Sequence, residues 1–152
     1  MLEINYSELF KNAHKEAREI VDEVGDYMIA FKIALTVQWK KAKKIELSES
    51  QIFKLEEDGW SRWTNYGYDR LYFNPVKNGT LKLTYHNSGN IDTAKWNGED
   101  ISNGRAYRIQ GMKCFINVND ASVKVTNYRS SDEDEAEILA QAAKNSFEKA
   151  IA

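Results

Sequence analysis

The spacing of hydrophobic residues changes period twice along this chain, and that constrains its fold more than any other feature. Up to Glu57 apolar residues recur every three or four positions. From Trp60 onward, aromatic and β-branched residues come in short runs separated by turn residues, and after Ser130 the helical spacing returns. Helical period at both ends with a meander between predicts an α+β chain. Its parts are an N-terminal helical hairpin, a central antiparallel sheet of about five to seven strands, and a C-terminal helix packed back on the core. Residues 1–152 are expected to form a single domain.

In the first helix, Ser7 to Val24, the residues Tyr6, Leu9, Phe10, Ala13, Ala17, Ile20, Val21 and Val24 make one apolar stripe. Ser7 is the expected N-cap, and Gly25 the C-terminal residue that enters the left-handed region. A second helix, Tyr27 to Lys44 capped by Asp26, is apolar nearly all the way round through Met28, Ile29, Ala30, Phe31, Ile33, Ala34, Leu35 and Val37. That pattern predicts burial by several neighbours. The helix ends in Trp39-Lys40-Lys41-Ala42-Lys43-Lys44, which suits the negative end of the helix dipole. Ser48 and Gln51 have capping-box spacing and open a third helix, Glu49 to Glu57.

Strands are expected at 60–65, 70–74, 80–86, 92–96, 106–109, 113–118 and 122–127. Tyr66-Gly67, Asn78-Gly79, Ser88-Gly89, a polar turn at 96–100, Asn103-Gly104, Gly111 and Asn119-Asp120 separate them. The last helix begins after Ser131, whose spacing to Asp134 fits a capping box. It carries Ile138, Leu139, Ala142, Ala143, Phe147, Ala150 and Ile151 on its buried side.

Composition narrows the chemistry. Twenty-one basic and 23 acidic residues give a net charge of -2, so no overall basic field marks a nucleic-acid binder. One cysteine and two histidines leave little material for a zinc site or for His-based catalysis. His14 sits at a helix edge beside Phe10 and reads as structural. His86, at a strand end, lacks an identifiable nucleophile. Cys114 alternates with Met112 and Ile116 and reads as a small buried hydrophobe. No phosphate-binding, hydrolase or zinc-protease motif occurs, so the expectation is a non-enzymatic chain with no cofactor and no metal. The acidic run from Asp132 fits the positive end of a helix and lacks calcium-loop spacing. The first twenty residues contain no apolar leader, and no apolar run is of membrane-spanning length. A cytoplasmic chain follows as the expectation.

What remains is binding. Two Trp and three Tyr between Trp60 and Tyr72 exceed what one strand face can bury, and exposed Trp, Tyr and Arg dominate interface energetics. Trp63, Tyr66, Tyr68 and Arg70 are the expected anchors, with Lys40, Lys41, Lys43 and Lys44 as the electrostatic contribution. The same lysines and aromatics could instead neutralise phosphates and stack bases. The acidic stretch 132–137 offers a further docking surface for a basic partner.

Three stretches carry a resemblance. They are Ala13-His14-Lys15-Glu16-Ala17-Arg18-Glu19-Ile20 with Gly25-Asp26-Tyr27-Met28, then the run from Trp63 to Asn74, and Trp96-Asn97-Gly98-Glu99-Asp100-Ile101-Ser102-Asn103-Gly104. Together they resemble small accessory proteins of bacteriophages and integrative elements. The resemblance implies a helical N-terminal part, a small sheet and a place in a host cell. It also implies a role as an inhibitor of a host defence protein or ribonucleoprotein, anti-CRISPR proteins among them, with a nucleic-acid accessory factor as the alternative.

Overall fold

The computed structural model describes residues 4–152 and gives the α+β architecture: an N-terminal helical pair, antiparallel sheets and a C-terminal helix. The described residues divide into two compact units, one of residues 4–45 with 119–121, the other of residues 46–118 with 122–152. No helix of the described residues is long and apolar enough to cross a membrane.

The helical unit is an antiparallel pair, α1 (Tyr6–Val24) and α2 (Tyr27–Lys43). Asn5, rather than Ser7, caps α1, its side-chain oxygen accepting from the Glu8 amide at 3.1 Å. Gly25 closes the helix at φ +81°, and Asp26 then caps α2 through the Ile29 amide. Alanines make the seam: Ala13 and Ala17 pack against Ala30 and Ala34, with Ile20, Val21, Val24, Phe31 and Leu35 at its margins. Small side chains let the two helices approach closely. The larger aliphatics of α2 are consequently turned outward, and Met28, Ile29, Ile33 and Val37 are exposed. The expected burial of α2 on all sides is therefore corrected. In a two-helix unit it has one partner helix, and only the 30/34/38 face is covered.

The larger unit opens with α3 (Glu49–Glu57), whose capping box is complete: the Gln51 amide donates to Ser48 Oγ, and the Ser48 amide to Gln51 Oε1. Two sheets follow instead of one. The first has four antiparallel strands in the order β1 (Trp60–Asn65), β2 (Tyr68–Phe73), β6 (Lys113–Asn117), β7 (Ser122–Thr126). The second joins β3 (Leu81–Tyr85), β4 (Ile91–Trp96) and the short β5 (Glu99–Asp100). A short helix, α4 (Pro75–Asn78), links the sheets, with Asn74 as its cap and Pro75 in its first turn, where a missing N–H does no harm.

The expected strand at 106–109 is a helix, α5 (Asn103–Gly111). Ser102 Oγ accepts from the Arg105 amide, so Asn103-Gly104 lies in the first helical turn rather than in a hairpin. The Asn103 side chain donates to the Ile91 and Asp92 carbonyls, and Ala106 and Ile109 bury at helical spacing.

Helix α6 (Glu133–Ile151) packs on β6 and β7. Its entry also differs from expectation. A 3-10 turn, Ser130–Asp132, replaces the Ser131 capping box, and no side chain caps the helix. Trp60 anchors the start of β1 in this core. Its ring lies 4.9 Å from Phe73 and 5.9 Å from Phe147, and its indole N–H donates to Ser146 Oγ at 2.8 Å.

Acidic residues at the start of α6 are paired with α5. Arg108 Nη2 donates to the buried Glu135 carboxylate at 2.8 Å, Arg105 Nε lies 3.3 Å from it, and Arg108 Nε lies 3.4 Å from Asp132. The hydrogen bond from Arg108, aided by the charges of both arginines and opposed by burial, holds Glu135 below its ordinary value of 4.5. A carboxyl with a depressed folded pKa stabilises the fold at neutral pH, and that contribution is lost as pH falls through its folded value. Glu135→Gln should therefore lower the melting temperature near pH 7, and the gap to wild type should close on acidification. Paired thermal melts across the carboxylate range read this directly.

Candidate binding surface

The β1–β2 hairpin builds the surface. Its two-residue turn is Tyr66-Gly67, with φ values of +49° and +78°, the geometry that matches the right-handed twist of paired strands. The turn fixes a register in which Asn65 faces Tyr68, Trp63 faces Arg70 and Trp60 faces Phe73. Strand alternation does the rest. Leu71 and Phe73 go into the core with Cys114 and Ile116, while Tyr68, Arg70 and Tyr72 line the other face. On that face Arg70 is also opposite Asn117, Tyr72 is opposite Phe115, and Phe115 is opposite Lys124.

Arg70 is the centre of the arrangement. Its guanidinium carbon sits 4.5 Å from the Phe115 ring centroid, 4.6 Å from Tyr68 and 5.9 Å from Trp63. One terminal nitrogen donates to the Tyr72 hydroxyl at 3.3 Å. Phe115 is buried beside Arg70 and the Tyr72 ring, which lies 5.3 Å from it. Arg70 Nε is itself buried and has no hydrogen-bond partner among the described residues. A planar cation among π faces is held in one orientation at little further entropic cost. Trp63 and Tyr68 stack on each other at 6.4 Å and are 39% and 51% exposed, while Tyr66 at the turn is 86% exposed. The second arginine of the hairpin behaves differently: Arg62 makes a two-pronged pair with Asp69 at 3.0 and 2.7 Å.

Trp63, Tyr68 and Arg70 thus come together, and Tyr66 stands at the turn of the same hairpin. The four lysines belong to the helical unit, at the end of α2. Lys41 pairs with Glu16 at 3.1 Å, the Lys43 ammonium lies 5.4 Å from the Trp39 ring, and Lys40 and Lys44 are exposed. Phe115, Lys113 and Lys124 were not legible as part of this face, because their place depends on pairing β6 with β2 across the intervening α4, second sheet and α5. Lys113 and Lys124 are exposed.

The remaining chemical groups are engaged structurally. His14 Nδ1 is 2.6 Å from the Tyr27 hydroxyl, and its ring stacks 4.4 Å from Phe31. His86 Nε2 lies 3.3 Å from Asp92 Oδ1, with both side chains largely in solvent. Cys114 is buried, and burial pushes its thiol up to about 12, so it stays protonated at neutral pH. Among the described residues no three metal-ligating side chains cluster.

In comparison with known proteins, the chain matches no family model, no curated protein and no solved structure.

Proposed function

We propose that this chain is a non-enzymatic binding protein that engages a macromolecular partner through the Arg70 face. The role implied by its resemblance is that of a phage or mobile-element inhibitor occupying a working surface of a host defence complex. One observation carries the reading: Tyr66 stands at φ +49°, 86% exposed, at the turn of the hairpin that carries the oriented Arg70. A bulky residue in the left-handed region costs about 1–2 kcal/mol, where Asn or Gly would fit with less strain. Backbone strain at an exposed aromatic is the kind retained for contact rather than for folding. Trp, Tyr and Arg are also the side chains that concentrate binding energy at interface centres.

Nucleic acid is the second reading, favoured by Lys124 and Lys113 on the same sheet face as the rings. Phosphate contacts make affinity fall steeply with salt, whereas an apolar protein interface responds weakly. The test is capture from host lysate with and without nuclease, run in parallel with Tyr66→Asn. That variant should melt a few degrees higher, since relief of about 1 kcal/mol moves the midpoint by that much, yet it should retain less partner. A partner retained after nuclease and lost on Tyr66→Asn supports the protein-binding reading. Capture abolished by nuclease moves the case to nucleic acid. Undiminished capture by Tyr66→Asn removes the turn from the surface.

A further inference from the structure

Helix α2 carries a second surface, built on a different pattern. Ile29, Ile33 and Val37 are 55%, 46% and 39% exposed, and their four-residue spacing sets them along one side of the helix. The seam with α1 uses the neighbouring side, Ala30, Ala34 and Gln38. A regular aliphatic stripe in solvent on a two-helix unit is the surface a further helix covers.

The ends of the stripe indicate which helix. Just before the stripe stands Asp26, the extended N-cap whose carboxylate accepts from the Ile29 amide; one turn beyond Val37 stands Lys40, and Lys44 is the extended C-cap, all three exposed. Read along α2, the order is acid, aliphatic, aliphatic, aliphatic, base, spaced symmetrically about Ile33. A two-fold axis through Ile33 brings Ile33 against its own copy, Ile29 against Val37, and Asp26 against Lys40. The charge along the hairpin sequence follows the same polarity, apart from Lys32 within α2; Asp120, of the same unit, lines a cavity with Lys40 and Lys44. Residues 19–31 contain Glu19, Asp22, Glu23 and Asp26 and no lysine or arginine, while residues 37–45 contain four lysines and no acid. Antiparallel pairing sets each acidic hairpin tip beside the partner's basic end. Parallel pairing would oppose like charges, which is destabilising.

We propose that two copies of this chain associate through α2, antiparallel, about a two-fold axis at Ile33. An isologous contact needs such a self-complementary patch, and this one is self-complementary in both shape class and charge. The pairing does not depend on the Arg70 face, which belongs to the other unit.

Sedimentation velocity of the full chain over a range of concentrations should show a reversible monomer–dimer equilibrium, weakened by added salt as the end charges are screened. Ile33→Glu places two carboxylates on the axis and should leave only monomer, with its helical circular dichroism unchanged. Register is read by thiols. Ile33→Cys should cross-link to itself on mild oxidation, because a disulfide requires Cα atoms within about 4.4–6.8 Å. Ile29→Cys should cross-link with Val37→Cys in a mixture but not with itself. Wild type supplies the blank, since Cys114 is buried. Monomer at every concentration would overturn the proposal, as would a dimer in which Ile33→Cys fails to link. Flotation of a monomer with anionic vesicles would assign the stripe to a lipid surface instead. Should Ile33→Glu unfold, the thiol series decides alone.

Discussion

Gly59→Ala should unfold the larger unit, or bring it close to unfolding, although it adds a single methyl group. Gly59 joins α3 to β1 at φ +88°, and a Cβ there would lie 2.7 Å from the Asn78 amide nitrogen and 3.0 Å from the Asn74 carbonyl oxygen. Both contacts are backbone atoms of the α4 turn, so no side chain can swing away. The Gly59 carbonyl also accepts from the Asn74 amide at 3.0 Å, and the Asn78 side chain donates to the Asp58 carbonyl at 3.1 Å, which locks the two segments together. Left-handed backbone costs an alanine about 1–2 kcal/mol, and forcing an atom into a packed contact adds about 1–3 kcal/mol. The sum, roughly 3 kcal/mol or more, is a large part of the stability of a small domain. Gly79→Ala is the internal control. It has the same backbone sign, φ +87°, with nothing within 4 Å of a built Cβ, so it should show the conformational part alone. Denaturant titration of both variants separates the contributions; equal losses would mean that the close approach of α4 has no energetic weight. The consequence reaches the binding surface, because Gly59 sets the entry to β1 and with it the register that places Trp63 opposite Arg70.

The same position marks a limit of what the sequence made legible. Asp58-Gly59 reads as a helix stop, but the requirement for glycine comes from a turn almost twenty residues further on. Helices were legible wherever period and cap agreed, as in α3 with its complete capping box. They were misread where a turn signal sat inside a helix. Asn103-Gly104 has the composition of a hairpin turn, yet Ser102 caps a helix there and the Asn103 side chain is held by two carbonyls of β4 and its start. For α2, hydropathy was right about apolar residues on every side and wrong about their burial, because the alanine seam admits one neighbour and leaves Ile29, Ile33 and Val37 outside. Trp63, Tyr66, Tyr68 and Arg70 were legible as a group because one hairpin carries all four. Phe115 was not, since its contact with Arg70 depends on strand pairing that no local pattern encodes. The acidic stretch at 132–137 shows the converse: read in sequence as a docking run, it is partly neutralised by Arg105 and Arg108.

Arg70→Ala should reduce partner affinity about 30-fold or more, the scale of a hot-spot residue worth 2 kcal/mol or above, with only a few degrees lost in melting temperature. The small thermal effect follows from position: Arg70 is half-buried on the outer face of the sheet, and Leu71 and Phe73 hold β2 to the core without it. Arg70→Lys is the informative companion. It keeps the charge but gives up the plane that lies against Tyr68 and Phe115 and the fork that reaches the Tyr72 hydroxyl. If orientation by the rings is what prepares Arg70 for its partner, lysine should recover little of the lost affinity. If net charge near the surface is all that acts, lysine should bind as well as arginine, and the ring-held arrangement would have no role in recognition. Arg62→Ala provides the opposite control. Its guanidinium is tied to Asp69 by two hydrogen bonds, so its loss should lower stability while leaving partner affinity intact. An Arg70→Ala protein that melted as low as Gly59→Ala would make Arg70 a structural residue and would require the binding surface to be sought elsewhere on the chain.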